Sequence, residues 1–288
     1  LALQPINEFE LDAAILFSDI LTIPDSFGLG VEFIEKEGPV FRNPISNSTD
    51  IKNLNHFDPE SLDYVYKAVN NIKSSLPEEI PLIGFCGSPW TLAAYSIEGR
   101  SSKDFEKTLG FLESNQKDVH DLLIKYTDAC FLYLRKQVQS GADVIQIFDS
   151  WANLLTKEDL IEFSFNYINS LISALKLDPV TKNIPVIIFA RNPKCNIEEL
   201  INTSADCISL FWSMNDLNFE VAKNKVAIQG NLDPKILLES DETIKRETYK
   251  ILERFKEYPG YIFNLGHGIT PDISPDKIKY LTNIVREY

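Results

Sequence analysis

The chain has 288 residues and a mass of 32.8 kDa, with 44% apolar and 24% charged residues. This composition excludes a disordered chain, a collagen and a mini-protein, and it predicts a single globular domain over residues 1–288. The formal charge of −14 argues against nucleic acid or an anionic membrane as a partner. The longest apolar runs, such as 185–190, are far shorter than the ~18 residues that span a bilayer.

The cysteines and the start of the chain bear on where the protein works. The four cysteines show no CxxC spacing, which is typical of reduced thiols in the cytoplasm. The chain begins with Leu1, and its only methionine is Met214. No cationic, apolar targeting segment stands at the start. We therefore expect a cytoplasmic protein whose single domain is N-terminally incomplete.

Seven short apolar runs, rich in β-branched and aromatic residues, predict buried strands. Their near-continuous apolarity is typical of parallel strands that are covered on both faces. Amphipathic stretches between them predict helices. The predicted strands span residues 13–19, 80–86, 143–149, 185–190, 206–212, 225–230 and 261–266. The predicted helices span residues 59–74, 105–136, 157–177, 197–203, 216–223, 241–258 and 275–288.

Start signals support two of the helices. The sequence from Thr156 to Asp159 predicts a capping box, and Pro275 follows Ser274 at a first helical position. Alternating strands and helices predict an α/β fold, either doubly wound or closed as a (β/α)8 TIM barrel, and we favour the barrel. An eighth strand would lie within Val31 to Arg42 or in the missing start. Residues 31–53 otherwise predict a long loop or hairpin.

Polar residues follow every predicted strand. In a parallel barrel the active site is built where the strands end, so these residues are candidates for it. Turns also begin at strand ends, which leaves a purely structural role equally open for each residue. The residues are Ser18, Asp19, Gly87, Ser88, Asp149, Ser150, Arg191, Asn192, Ser213, Gln229, Gly230, Asn231, Gly266, His267 and Gly268.

Asp19 and His267 are the most informative of these positions. Asp19 closes an apolar strand, where a carboxylate either caps the following turn or awaits a ligand with N–H groups or a cation. His267 lies between two glycines, so backbone can approach a ligand there and the imidazole is unobstructed. His56 and His120 have no such setting. No HExxH, Walker A or GxSxG motif occurs, and the His and Cys spacing predicts no metal site.

Five longer segments form a specific pattern along the chain. They are LDAAILFSDIL at 11–21, IGFCGSPWTL at 83–92, YSIEG at 95–99, QGNLDP at 229–234 and FNLGHG at 263–268. This pattern resembles the uroporphyrinogen decarboxylase family of haem biosynthesis. The resemblance implies a TIM barrel, a homodimer and a lyase that needs neither a metal nor an organic cofactor. Such an enzyme removes the four acetate carboxyl groups of uroporphyrinogen III, a tetrapyrrole, to give coproporphyrinogen III.

The resemblance also implies the site residues, which are Asp19, Tyr95, Ser150 and His267. Asp19 would accept hydrogen bonds from the pyrrole N–H groups and stabilise the charge of a protonated pyrrole. Tyr95, Ser150 and His267 would bind substrate carboxylates or relay protons, which makes Asp19, Tyr95 and His267 the candidate catalytic residues. Structural alternatives are that Tyr95 lies at a helix start and Ser150 caps a helix. An apolar wall would come from Phe17, Phe85 and Phe148.

The chain departs from the family pattern in several places. It lacks an N-terminal Met-Arg-Gln-Ala-Gly-Arg type of motif, whose arginines meet the substrate's carboxylates, so we expect the 288-residue form to be severely impaired. Residues 210–212 read Leu-Phe-Trp where Leu-Asp-Trp is usual. Arg191 and Lys194, in place of a commoner Lys or Gly-rich turn, either add positive charge at the mouth of the barrel or are solvated surface.

Two other functions compete with decarboxylation. One is a tetrapyrrole-binding relative without turnover, which would follow if the natural protein lacked the arginine segment. The other is a zinc- and corrinoid-dependent methyltransferase of the same fold. That chemistry needs a His-x-Cys pair after the strand at 185–190 and a Cys near the chain's end. Here Phe189-Ala-Arg191 and Gly266-His-Gly268 supply no thiolate, so that site cannot be built.

Overall fold

The strands form one large parallel sheet and one small hairpin. A computed structural model describes residues 2–35, 37–215 and 217–288. Its strands are β1 (Ala14–Ile15), β2 (Val31–Ile34), β3 (Gly38–Phe41), β4 (Leu82–Gly87), β5 (Val144–Asp149), β6 (Val186–Ala190), β7 (Cys207–Ser209), β8 (Ala227–Gln229) and β9 (Tyr261–Ile262). Seven of them pair in parallel in the order β1-β4-β5-β6-β7-β8-β9.

This strand order decides between the two predicted architectures. A doubly wound sheet reverses its order at a switch point, whereas here each strand pairs with the next strand of the same sheet along the chain. The sheet curls, and side chains from its two outer strands, β1 and β9, line one internal cavity. The predicted TIM-barrel class is therefore confirmed.

The helices connect the strands. The α-helices of the described residues are α1 (Gln4–Phe9), α2 (Thr22–Pro24), α3 (Ser48–Lys52), α4 (Asp63–Lys73), α5 (Pro89–Glu98), α6 (Glu106–Ser114), α7 (Gln116–Gln139), α8 (Lys157–Asp159), α9 (Asn166–Leu177), α10 (Ile197–Ile201), α11 (Asp241–Phe255) and α12 (Pro275–Glu287). Shorter 3-10 helices span Pro59–Leu62, Ala152–Leu154, Phe219–Val221 and Pro234–Leu238, and π-helical segments span Asp25–Leu29 and Leu160–Phe165.

One suggested position for an eighth strand is wrong. Residues from Val31 to Arg42 contain β2 and β3, which pair only with each other as an antiparallel hairpin. Within the described ranges no backbone ladder joins β1 to β9, so both strands have one unpaired edge. The sheet is thus a barrel with a seam between β1 and β9.

Several helix predictions need correction. The stretch 105–136 is two helices, because Asn115 between α6 and α7 has φ −139° and ψ 43°, outside the helical region. The stretch 216–223 holds only a short 3-10 helix, and Asp216 lies outside the described residues. Helix α5 went unpredicted because it is buried on nearly all sides and therefore lacks an amphipathic period.

The predicted helix starts are confirmed where they were most specific. The Thr156 hydroxyl accepts a hydrogen bond from the Asp159 amide at 3.2 Å, and the Ser274 hydroxyl accepts one from the Asp276 amide at 3.3 Å. All four cysteines are free. None of the described helices combines the length and apolarity needed to cross a membrane.

Candidate active site

A cavity of about 560 Å³ lies inside the curled sheet. Successive side chains of a strand point to opposite faces, so every second residue of a strand faces the inside. Residues of one strand that face the same side have the same parity. The strand side chains that line the cavity are Ile15, Ile83, Gln146, Phe148, Phe189, Ser209, Gln229 and Ile262. Ser150 and His267, which follow β5 and β9, line it as well. Two of the four predicted site residues therefore share one cavity.

Ser150 presents a free hydroxyl to this cavity. It has the same parity as Phe148 on β5 and is half-buried. No hydrogen bond to its side chain is formed by any residue in the described ranges. The 3-10 helix that follows begins after Trp151 without a side-chain cap, so Ser150 does not serve as a helix cap. Its hydroxyl is available to donate to, or accept from, a ligand.

His267 lies exposed against an aromatic wall. Its ring packs edge-on against Phe211, with centroids 5.9 Å apart at 86°, and against Phe189 at 6.3 Å and 71°. Nδ1 lies 3.4 Å from the Gly268 carbonyl oxygen. The imidazole is thus held from one side by aromatic rings while its other side stays open to the solvent and the cavity.

The two glycines beside His267 lie in different surroundings. A Cβ on Gly266 would lie 2.3 Å from the Trp212 backbone nitrogen, so only glycine lets this loop pack against that backbone. A Cβ on Gly268 would meet nothing within 4 Å. The expectation of unobstructed space therefore holds at Gly268, whereas Gly266 is required for packing within the protein.

The inner wall is a chain of phenylalanines from the three neighbouring strands β4, β5 and β6 and from the loop after β7. Ring centroids lie 5.6 Å apart for Phe85 and Phe148, 6.1 Å for Phe148 and Phe189, and 6.5 Å for Phe189 and Phe211. This arrangement explains Phe211, for which the sequence offered no reason: it continues the wall and packs against His267. Edge-to-face contacts of this kind make a stable apolar surface.

Asp19 lies in a neighbouring cavity of about 330 Å³, which it lines together with Phe17, Phe33 and Tyr64. Its Oδ1 accepts a hydrogen bond from the Leu21 amide at 2.7 Å, and no described residue donates to Oδ2. Burial raises the pKa of Asp19, and the Leu21 amide opposes the rise. The turn-capping alternative is therefore observed at Oδ1, and the role of Oδ2 toward a ligand stays a prediction.

Phe17, predicted to form part of the apolar wall, projects into this second cavity and is 71% exposed.

Tyr95 lies in the second half of α5 and not at a helix start. Its ring packs against Phe105, with centroids 5.9 Å apart, and against Trp151 at 5.6 Å. Burial raises the pKa of the phenol, whereas its neighbours Trp151, Ser101 and Arg191 lower it to a smaller extent. Tyr95 lines neither of the two cavities, so its predicted contact with substrate is the least direct of the four.

A buried carboxylate lies directly behind the site. Asp149 is 1% exposed and accepts hydrogen bonds from the hydroxyls of Ser88 at 2.8 Å, Thr91 at 2.9 Å and Ser164 at 2.6 Å. Burial raises the pKa of Asp149, and the three hydroxyls oppose that rise. This network ties the end of β5 to α5, so Asp149 and Ser88 have the structural role that strand-end residues often have. Its effect is to fix the backbone that carries Ser150.

Known proteins resemble this chain in sequence and in fold. A family model described as uroporphyrinogen decarboxylase (URO-D) matches residues 1–288. Three relatives carry the name uroporphyrinogen decarboxylase. They are from Vesicomyosocius okutanii (46% identical), Pseudoalteromonas atlantica (44%) and Legionella pneumophila strain Corby (42%). Each match covers 99% of this chain, and it covers 82%, 81% and 81% of those proteins.

Two solved structures share the fold. A methyltransferase from Methanosarcina mazei is similar with a TM-score of 0.76 at 17% identity, over 100% of this chain and 83% of that one. A B12-independent methionine synthase from Shewanella sp. W3-18-1 is similar with a TM-score of 0.60 at 14% identity, over 99% and 86%. At such identities the likeness concerns the fold alone. The sequence matches are far stronger, and the chain belongs to the uroporphyrinogen decarboxylase family.

Proposed function

We propose that this protein is a decarboxylase of porphyrin biosynthesis that converts uroporphyrinogen III into coproporphyrinogen III. The observation that carries the proposal is the match, at 42–46% identity over nearly the whole chain, to relatives of that name. The site's chemistry supports it. The inner wall is aromatic and suits the apolar faces of pyrrole rings, and the polar groups around it suit carboxylates and pyrrole N–H groups.

Asp19 is the proposed centre of the reaction. A porphyrinogen presents several pyrrole N–H donors, and the open Oδ2 of Asp19 is an acceptor for them. The turn that Oδ1 caps holds the carboxylate in place before substrate arrives. A preorganised anion of this kind stabilises positive charge that develops on the substrate in a poorly hydrated site.

The chemical step replaces a carboxyl group by a proton. Protonation of a pyrrole carbon gives a cation, which Asp19 stabilises. The bond between the acetate methylene and its carboxylate then breaks, the electron pair neutralises the pyrrole, and CO2 leaves. A proton added to the exocyclic carbon and the loss of the ring proton complete the methyl group.

The remaining predicted residues bind substrate or move protons. Ser150 donates its free hydroxyl to a substrate carboxylate, and His267, on the same cavity, binds a carboxylate or transfers a proton. Tyr95 keeps its proton because burial raises the pKa of its phenol, so it can act as a hydrogen-bond donor. We propose no metal or organic cofactor for these steps, since protonated pyrrole is itself the electron sink.

The test compares Asp19→Ala with Asp19→Asn. Asparagine keeps an oxygen for the Leu21 amide but has no charge, so it separates the turn from the chemistry. We expect both variants to lose about 10²- to 10³-fold in kcat/KM, and only Asp19→Ala to lower the melting temperature. The assay is anaerobic turnover of chemically reduced uroporphyrin, with chromatography of the oxidised products.

Three results of this assay would contradict the proposal. Wild-type-like turnover by Asp19→Asn would remove the charge of Asp19 from the mechanism. Binding of the tetrapyrrole by the wild-type protein without release of CO2 would make the protein a binding relative. If the wild-type protein shows no binding and no turnover, the tetrapyrrole assignment as a whole is refuted.

We further propose that the protein works as a homodimer in the cytoplasm, without nucleic acid or membrane partners. The exposed aromatic residues beside Asp19, Phe17 at 71%, Phe33 at 66% and Tyr64 at 60%, support an additional surface that covers this side. The charge of −14 opposes binding to nucleic acid. Light scattering is expected to give twice the mass of the 32.8 kDa chain, and a monomer at micromolar concentration would contradict the dimer.

A further inference from the structure

Arg191 follows β6 at the end of the barrel where the site lies. Its amide donates to the Asp149 carbonyl oxygen at 3.0 Å, which continues the ladder between β5 and β6 by one residue. It therefore has the same parity as Phe189, whose ring lines the central cavity. The backbone of Arg191 thus continues the register of β6, and its guanidinium lies over Trp151, the residue that follows Ser150.

The guanidinium of Arg191 rests on a fixed aromatic platform. Its Cζ lies 5.4 Å from the centroid of the Trp151 ring, within the range of a cation–π contact. Trp151 is held by its own backbone: its amide donates to Thr91 Oγ1 at 3.3 Å, and its carbonyl accepts from Trp90 Nε1 at 3.1 Å. The same Trp151 ring packs against Tyr95, and the charge of Arg191 is felt at the Tyr95 phenol.

This guanidinium has no acidic partner in the described part of the chain. Several other basic side chains of the protein form ion pairs, as in the pairs Arg135–Asp178 and Lys157–Glu199. A half-buried arginine without a counter-ion is unusual in a protein with 42 acidic and 28 basic residues. Stacking uses the face of the guanidinium and leaves its N–H donors at the edge, in the fork geometry that fits a carboxylate.

We propose that Arg191 binds one carboxylate of the polycarboxylate substrate, with Trp151 as the platform that orients it. The inference rests on the proposed function, because that function brings a substrate with eight carboxylates to a strongly acidic protein. Arg191 is a binding residue in this scheme and takes no part in proton transfer. It supplies positive charge on the side of the site that β5 and β6 build.

The test is the steady-state turnover of Arg191→Gln, with Lys194→Gln as the matched control. Lys194 is an exposed residue of the same loop, so its substitution removes the same charge at a solvated position. We expect Arg191→Gln to raise KM about tenfold with kcat within about twofold, which corresponds to about 1.4 kcal/mol of binding. Lys194→Gln should change neither constant by more than about twofold, and Arg191→Lys should fall between wild type and Arg191→Gln.

Two results would overturn the proposal. A KM for Arg191→Gln within twofold of wild type would show that no carboxylate is bound there. An equal rise in Lys194→Gln would show a general effect of charge. Thermal melts monitored by circular dichroism verify that the variants are folded.

A second measurement separates this proposal from the proposed function. Quenching of tryptophan fluorescence by oxidised uroporphyrin reports binding without any turnover. If the wild-type protein binds uroporphyrin but does not decarboxylate uroporphyrinogen, the function fails while a tenfold weaker Kd in Arg191→Gln still supports the carboxylate site. If turnover is normal and neither KM nor Kd changes, the function stands and the role of Arg191 is refuted.

Discussion

The two halves of the barrel are built differently. In the long-strand sector, β4, β5 and β6 have six, six and five residues, and the buried Asp149 ties β5 to α5. In the short-strand sector, β7, β8, β9 and β1 have three, three, two and two residues, and their ends continue as loops. There His267 is exposed, and a second small core forms apart from the main one. The long-strand sector holds its strand-end residues in fixed positions, and the short-strand sector leaves the cavity accessible.

The largest effect that would test this contrast lies in the long-strand sector. Asp149→Ala leaves three buried hydroxyls without their acceptor, and we expect it to lower the free energy of unfolding by about 3 kcal/mol. Urea denaturation measures this loss. A loss below about 1 kcal/mol would mean that the network does not hold the sector together.

The pH dependence of the stability of Asp149→Asn, compared with the wild type, tests the same network. Burial raises the pKa of Asp149 in the folded protein, so the folded state binds this proton more tightly than the unfolded state. Stability from this carboxyl is therefore lost as the pH rises from its unfolded pKa through its folded one. We expect the wild type to lose stability relative to Asp149→Asn as the pH rises above about 4, the ordinary pKa of an aspartate carboxyl. A difference that does not change with pH in urea titrations would contradict this.

A smaller effect on stability, with a clear effect on activity, is expected in the short-strand sector. Gly266→Ala places a methyl group against the Trp212 backbone, so the loop that carries His267 must shift. We expect a stability loss of about 1–3 kcal/mol and a fall in kcat/KM of about tenfold or more. Gly268→Ala, one residue beyond His267, meets open space and is the control. Equal kcat/KM values for the two variants would show that the position of His267 does not affect activity.

The sequence predicted the sheet well, because buried parallel strands have a simple apolar pattern. Each of the seven predicted runs overlaps a strand of the barrel sheet. The predicted lengths fail in the short-strand sector. The run 225–230 ends at Gly230, whose φ of +118° breaks the extended backbone, and pairing between its neighbours resumes only at Leu232 and Leu265. Hydropathy does not report where pairing stops, since the apolar residues Leu210, Phe211 and Trp212 continue beyond Ser209, the last residue of β7.

The ends of the predicted strands and the alternation of side chains along them indicated part of the site. The sequence did not indicate how the turns after the strands fold. Ser150 and His267 were predicted at strand ends, and both line the central cavity. Asp19 was also predicted at a strand end, but it lines a separate cavity, which no local pattern indicates. The contact of Phe211 with His267 and the stacking of Arg191 on Trp151 join residues far apart in the chain. Only the folded barrel brings those pairs together.

The separation of Asp19 from Ser150 and His267 has a consequence for selectivity. A ligand that contacts Asp19 and His267 at once must extend over two cavities of about 330 and 560 Å³. On the proposed function, a single-ring pyrrole acid would contact only one of these two sets of groups, whereas a macrocycle would contact both. The proposed site would thus select a macrocycle over a single pyrrole by its reach.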